Sequence, residues 1–465
     1  MSRVQPARRV AADVLAAVRS SDAYANLLLP ARIRDARLSG ADAGFATELV
    51  YGTLRMQGYY DRVLELAARR PAAKIDAPVL DVLRLGAHQL LSLRTAPHAV
   101  IDESVELVRR ARKASAAGFV NGVLRTLTRE QPETWRERAL AGLAGHARLA
   151  VEFSHPEWVV DALAEALALE GAGAQLAELL AADNAAPQVA FAALPGLAEP
   201  VALEHNGRYL PGRLSPLALG SPGGDPAAHA EVAASAVRVQ DEGSQLAALA
   251  LTRVRPVAAG ERWLDVCAGP GGKAAVLAAE AALAGARLVA NEVVPARAGL
   301  VRNALAPFGD GADAPEVVVG DGRRFANAQR LATGRERFDR ILLDAPCTGL
   351  GALRRRPEAR WRKSPDDLAA LTALQAELLD AAVAALAPGG VLAYVTCSPH
   401  PDETRQQVAR ALERHPALRP LDTPGVVETI ARAPLALPDA PSAQLWPHRH
   451  GTDAMFIQLL TTLEA

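Results

Sequence analysis

The chemistry of this sequence is concentrated in three short strings, each closing an apolar run. Cys347 lies in Asp344-Ala345-Pro346-Cys347-Thr348-Gly349, and Cys397 in Thr396-Cys397-Ser398-Pro399. One cysteine among apolar residues is ordinarily a small hydrophobe. Two at the ends of strand-like runs, one of them beside an aspartate, point to covalent chemistry. The third string is Leu264-Asp265-Val266-Cys267-Ala268-Gly269-Pro270-Gly271-Gly272-Lys273, a buried strand that passes through a glycine-rich turn into a helix. Glycine lets the backbone approach a ligand, and the helix N-terminus offers free N–H groups. Glu292 ends the next apolar run about 20 residues past the glycines, where a ribose-diol acceptor belongs. Asp321, in Gly320-Asp321-Gly322-Arg323, follows the third run, where an adenine-side contact would sit. The glycine spacing is neither the dinucleotide fingerprint nor a P-loop. The stretch Cys267, Ala268, Gly269, Pro270, Gly271, Gly272 and Lys273, with Glu292, Asp321 and Asp344, is therefore expected to hold an adenosyl ligand that lacks a pyrophosphate. Cys267 lines that loop as a structural residue.

A cysteine beside an adenosyl methyl donor suits one difficult reaction. Carbon 5 of a pyrimidine is a poor nucleophile, but thiolate attack at carbon 6 turns the ring into an enamine that carbon 5 can use to take up a methyl group. Loss of the carbon 5 proton and of the thiol then restores the ring, so one hard step becomes two easier ones. The thiolate must exist near neutral pH, which calls for a cationic neighbour or a helix N-terminus. Asp344 is placed to bond the amino and ring-nitrogen edge of a cytosine during the attack.

These residues need strand ends to hold them. Arg262–Cys267, Arg287–Glu292, Glu316–Val319, Phe338–Asp344 and Val391–Cys397 read as strands, with helices after the glycine loop, from Pro295 and over roughly 365–386. Strands alternating with helices predict a parallel sheet covered on both faces. Residues 1–130 read instead as an all-α bundle of about six helices, with breaks at Pro71 and Pro97. Between them lies a stretch with many prolines and short strands near Gln188–Leu194. The expected domains are a helical domain over 1–135, a connecting subdomain over 136–236 (helical, then short α/β) and an α/β Rossmann-like domain over 237–465.

Composition agrees with a globular multidomain protein. The 465 residues are 50% hydrophobic and 22% charged, with 51 Lys+Arg against 52 Asp+Glu. That near-neutrality hides an asymmetry: residues 1–130 hold 20 basic and 13 acidic residues, and residues 151–235 hold 2 and 11. A polyanion partner would be met by local basic patches. The densest one, Arg354, Arg355, Arg356, Arg360, Trp361 and Arg362, directly follows the Cys347 string. Arginine for phosphate with an aromatic for stacking is a single-stranded RNA pattern; His448, Arg449 and His450 extend the same expectation. Three cysteines exclude a disulfide scaffold and fit a reducing compartment. Charged residues interrupt every apolar run before ~18 residues, and the opening residues lack an apolar signal core. A cytoplasmic monomer without a membrane segment is expected. No metal is expected, because no Cys or acidic cluster completes a site around His448 and His450.

Together the strings LDVCAGPGGK (264–273), FDRILLDAPCTGLGALRRRPEARW (338–361) and YVTCSPHPDET (394–404) closely resemble the bacterial RNA 5-methylcytosine methyltransferases. VQDEGSQLAA (239–248) and WPHRHGTDAMFIQL (446–459) fit the same family, and the region ending in GFVNGVLRTL (118–127) looks like its NusB-like RNA-binding domain. The resemblance spans 1–130 and 237–462 and thins over 150–235. It implies S-adenosyl-L-methionine as cofactor and cytosine in 16S ribosomal RNA, presented in a loop or flipped out, as substrate. It also implies Cys397 as nucleophile and Cys347 as the residue assisting product release. Two positions depart from the family pattern: Glu292 stands where many members have Asp, and Ala-Gly-Pro replaces Ala-Ala-Pro. A one-residue shift makes Asn291 a rival for the ribose contact. A tRNA cytosine methyltransferase, a non-catalytic NusB-like RNA-binding or antitermination factor, and a DNA methyltransferase using Cys347 as nucleophile remain the alternatives.

Overall fold

A computed structural model describes residues 4–21, 23–311, 313–324 and 337–462. The chain forms two compact units. One comprises Met1–Ala164, Ala174–Ala186 and Leu353–Arg362; the other comprises Glu165–Gly173, Pro187–Ala352 and Lys363–Ala465.

The first unit is helical. Up to residue 127 it holds α1 (Pro6–Ser20), α2 (Ala25–Asp35), α3 (Gly40–Arg55), α4 (Gln57–Ala68), α5 (Ala77–Leu91), α6 (Pro97–Arg110) and α7 (Ala117–Leu127). Proline opens α1, α5 and α6, where its missing N–H has no intrahelical partner to lose. Apolar residues at helical spacing, such as Val10, Val14 and Val18 of α1, converge with Leu49, Leu83 and Leu124 in one core. α5 is buried on nearly every side, Asp81 and His88 included, and is the central helix. There is one helix more than the six expected. Met56, at φ −100°, separates α3 from α4 without a proline to announce the break.

The second unit carries two sheets. Four short strands, β1 (Ala190–Ala193), β2 (Leu210–Pro211), β3 (Ala218–Gly220) and β4 (Val237–Val239), make an antiparallel sheet ordered β2-β3-β1-β4 around Phe191, Tyr209 and Leu219. The large sheet contains β5 (Arg262–Asp265), β6 (Arg287–Glu292), β7 (Glu316–Val319), β8 (Phe338–Asp344), β9 (Leu386–Thr396), β10 (Leu418–Pro420) and β12 (Phe456–Thr462). Their order is β10-β12-β9-β8-β5-β6-β7, and β11 (Ala443–Gln444) pairs with β12. The five strands that alternate with helices are mutually parallel. β12 runs antiparallel between β9 and β10, so the sheet is mixed. Its residues Phe456–Leu460 are all buried and show no alternation to mark them as a strand.

Both faces of the sheet are covered. Along β9, Val391, Ala393 and Val395 join a core with Leu246 and Leu277, while Leu392 and Tyr394 join another with Leu378 and Val408. This is the period of two expected of a strand buried on both sides. The helix Pro365–Ala385 has the length and hydropathy of a membrane span, but here it lays Leu378, Leu379 and Ala382 onto the sheet. From β5 the chain builds outward through β6 and β7, then returns to β8 on the other side. That reversal opens a crevice at the C-terminal ends of β5 and β8.

Arg340, on β8, is fully buried. It donates to Glu261 Oε2 at 2.7 Å and to the carbonyls of Leu251, Thr252, Arg255 and Pro256 at 2.9–3.0 Å. It thereby closes the end of the helix Glu242–Arg253 onto the sheet. Arg340→Met strands a buried carboxylate and four carbonyls, with an expected cost of roughly 3–5 kcal/mol. Urea unfolding followed by circular dichroism measures it, and an unchanged midpoint would refute this reading.

Candidate active site

β5 ends at Asp265, which is buried. The following turn returns along the sheet: Ala268 N donates to Asn291 O at 2.8 Å and Gly271 N to Ala268 O at 2.7 Å. Gly271 has φ +103° and opens the helix Gly272–Ala284; a Cβ there would stand 2.6 Å from the Ala304 methyl. A Cβ on Gly269 would stand 2.1 Å from Glu292 Oε2. At Gly271 the positive φ and the rigid neighbour call for glycine, whereas at Gly269 a Cβ would have to displace the Glu292 carboxylate. Glu292 is buried against the turn, accepting from Gly269 N at 3.1 Å and Val294 N at 2.9 Å. Asp321 is half-buried and gripped by Arg323, whose guanidinium holds the carboxyl below its usual range.

The ends of β8 and β9 lie side by side, with Asp344 opposite Val395. This register brings the two cysteine strings together: Cys347 Sγ is 3.4 Å from Cys397 Sγ. Lys273, from the first turn of the glycine-loop helix, donates to Asp344 Oδ2 at 2.8 Å. Burial would lower the Lys273 pKa, but Asp344 outweighs it and the ammonium is held above its ordinary value. In the cysteine pair, the hydrogen bond from Cys347 lowers the Cys397 pKa against burial, and Lys273 helps. The same hydrogen bond, with burial, pushes Cys347 well up. Burial and the charges of Asp265, Asp344 and Glu292 push Cys267 up as well. Of the three thiols, Cys397 ionises first.

The glycine loop also offers buried acceptors. Asp265 Oδ2 and Asn291 Oδ1 are buried without a hydrogen-bond partner among the described residues. Burial, with the Asp344 charge adding to it, pushes the Asp265 carboxyl up to about 8. No role for Asp265 is evident from the sequence; its one signal is its place as the last residue of an apolar strand before the glycines.

Residues 253–461 match the family model described as 16S rRNA methyltransferase RsmB/F, and residues 5–129 match the NusB family. A putative methyltransferase of Mycobacterium tuberculosis is 46% identical over 464 residues, spanning 99% of this chain and 97% of that protein. The ribosomal RNA small subunit methyltransferase B of Pseudomonas putida is 35% identical, spanning 89% of this chain and 91% of its own. This chain belongs to the RsmB/F methyltransferase family. It is an S-adenosylmethionine-dependent RNA methyltransferase with a NusB helical N-terminal region. The crystal structure of PH0851 shares the fold across 99% of both chains, at a TM-score of 0.80 and 21% identity. NSun6 from Pyrococcus horikoshii with SFG shares it over 65% of this chain and 98% of its own, at 0.52 and 15%.

The residues present in this RsmB/F member fit its cofactor. The glycine cradle leaves room that a Cβ would fill, and the orphaned Asp265 and Asn291 oxygens suit the donors and positive charge of S-adenosylmethionine. The basic segment is different. Leu353–Arg362 belongs to the helical unit. Arg360 is fully buried and donates to Ser154 O at 3.0 Å, Asn184 Oδ1 at 2.9 Å and Asp183 O at 3.3 Å; burial pulls its guanidinium down to about 10. Arg362 donates to the carbonyls of Val18 and Ala23, Arg354 is buried, and the Trp361 ring lies against Gly58. The expectation that these side chains meet RNA is corrected: Arg360, Trp361 and Arg362 pack within the helical unit, and Arg354 is buried. Arg355 is half-buried and Arg356 is exposed over the Tyr24 ring. His450 is likewise structural, bonded to Trp446 N and Leu435 O.

Two outcomes follow. The rate of Cys397 alkylation by iodoacetamide should rise with a midpoint below the ordinary thiol range, because the thiolate is present above the depressed pKa and lost as pH falls through it. Cys347→Ala and Lys273→Met should each raise that midpoint; a midpoint indifferent to both overturns the electrostatic account. Arg360→Ala should destabilise the protein by about 3 kcal/mol and leave the salt slope of RNA binding alone. Arg356→Ala should flatten that slope by about one. Filter binding against salt concentration separates the two, and a flattened slope in Arg360→Ala would restore it as an RNA contact.

Proposed function

We propose that the protein methylates carbon 5 of a cytosine in 16S ribosomal RNA through a covalent cysteine–cytosine adduct, in the cytoplasm. The observation that carries this reading is the cysteine pair at adjacent strand ends beside a lysine–aspartate bridge. Cys397, the thiol that ionises first, adds to carbon 6. Asp344, with Oδ2 occupied by Lys273, turns Oδ1 to the amino and ring-nitrogen edge and stabilises the ring as charge moves onto it. S-adenosylmethionine, when bound, supplies the methyl group to carbon 5. The carbon 5 proton then leaves to a base, the carbon–sulfur bond breaks, and Cys347 serves this release half. Cys267 to Lys273, Glu292 and Asp321 hold the cofactor, with Asp265 added to them. Arg355 and Arg356 stay as RNA contacts. The target must be a loop nucleotide or a flipped one, because carbon 6 of a stacked base is out of reach.

The test is transfer of labelled methyl to protein-free 16S rRNA by the wild type, Cys397→Ala and Cys347→Ala. Label on one cytosine, abolished in Cys397→Ala, together with a covalent RNA adduct accumulating in Cys347→Ala, is expected. Activity surviving in Cys397→Ala would make Cys347 the nucleophile. Transfer to tRNA alone would move the substrate, and cofactor binding without transfer would favour an RNA-binding factor.

A further inference from the structure

Glu403 is fully buried at the end of the short turn Pro401–Glu403. Its Oε1 accepts from Thr348 N at 2.8 Å and from Gln375 Nε2 at 3.1 Å, and its Oε2 accepts from Thr348 Oγ1. The same Gln375 amide nitrogen donates to Pro346 O at 2.9 Å. Both residues flanking Cys347 are thus held by one carboxyl group and its glutamine partner. Tyr394 Oη donates to Glu403 O at 2.8 Å and fixes the turn in its turn. Thr348 Oγ1 also lies 3.0 Å from Ser398 Oγ, beside Cys397, and Gly351 N donates to Cys397 O at 2.9 Å. The two cysteine loops are tied at each end of the pair.

This arrangement is expensive. A buried carboxyl group is ordinarily matched by a cation, and among the described residues Glu403 forms no ion pair. Its partners are peptide, amide and hydroxyl groups around one cysteine.

We propose that Glu403 is a positioning residue of the two-cysteine centre: by gripping Thr348 it fixes Cys347 Sγ against Cys397 Sγ and so sets the release half of the reaction. The inference rests on the cytosine-5 reading above. The position of the carboxyl group also matters electrostatically, because it adds to the hydrogen bond and burial that hold the Cys347 proton.

Three variants test it. Glu403→Ala removes the grip, Thr348→Val removes only the hydroxyl, and Glu403→Gln keeps an acceptor for Thr348 N. Cofactor affinity and RNA affinity in Glu403→Ala should stay within about twofold of the wild type. Methyl should still reach RNA in a single turnover, while release slows by about tenfold or more because Cys347 Sγ is no longer held in place, within the roughly 100-fold that a 1 Å misplacement can cost. The covalent adduct should accumulate on denaturing gels as it does in Cys347→Ala. Thr348→Val should move the same way by less, and Glu403→Gln should recover most of the release rate. Site-resolved iodoacetamide labelling without RNA provides an independent reading: the ratio of Cys347 to Cys397 modification should rise in Glu403→Ala and Thr348→Val. Wild-type release with a wild-type labelling ratio in both variants overturns the proposal. So does a Glu403→Ala that fails to fold while Thr348→Val behaves as the wild type, which would make Glu403 a purely structural group. Failure of the cytosine reading shows itself separately, as a wild-type protein that methylates no cytosine, and the labelling ratio still decides the role of Glu403.

Discussion

Two half-buried sulfurs 3.4 Å apart cannot readily both carry a negative charge. At least one proton stays on the pair, and the surroundings decide which sulfur loses its proton first. The hydrogen bond between the two sulfurs lowers Cys397 most, with Lys273 helping it against burial and Asp344, whereas at Cys347 the same bond, burial and the Glu403 and Asp344 charges all act to keep the proton. The pair is therefore polarised before any substrate arrives, with Cys397 the thiol that gives up its proton first. Much of the second unit follows from this constraint. β8 and β9 must be adjacent and parallel so that both turns leave the same edge. The glycine loop must open its helix beside them, so that the first turn of that helix can deliver Lys273 to Asp344.

The strand order satisfies both needs at once. Reversing direction after β7 places β8 against β5, and the crevice at that switch point lies between the glycine loop and the two cysteine turns. It also gathers acids: Asp265, Glu292 and Asp344 all close strands of the same edge. Burial raises the pKa of Asp265 most, and repulsion from Asp344 and Glu292 adds to it. A cationic cofactor relieves that repulsion, so the electrostatic strain of the free site is part of its affinity for a sulfonium compound.

Much of the second unit was legible in the sequence because parallel strands covered on both faces are continuous apolar runs with glycine or proline at their ends. Arg287–Glu292, Glu316–Val319 and Phe338–Asp344 form strands with the bounds that the sequence suggested. The cysteine pair was legible for a different reason, namely that reactive residues collect at strand ends. The basic segment was misread because composition cannot distinguish an arginine that reaches solvent from one that binds buried carbonyls. Arg360 lies among charges in sequence but among Ser154, Asp183 and Asn184 in space, a long-range arrangement with no local signature. Glu403 was missed for the opposite reason. An acid after Pro401-Asp402 reads as a solvated turn, and only the fold turns it inward onto Thr348.

The polarity of the cysteine pair also bears on why the proposed reaction needs both. Once Cys397 sulfur is bonded to carbon 6, its charge is gone, and with it the acceptor that held the Cys347 proton. The two largest charge-related influences on Cys347 from its partner vanish in the same step. Cys347 thus becomes easier to ionise only after the adduct has formed, which is when a base near carbon 5 is useful and when a second thiolate no longer competes for the substrate. A single cysteine cannot report its own alkylation to a neighbouring group. Two within hydrogen-bond reach can, provided that their separation is held, and the contacts from Thr348, Ser398 and Gly351 hold it from both loops. In the proposed reaction, order then comes from electrostatics within the pair.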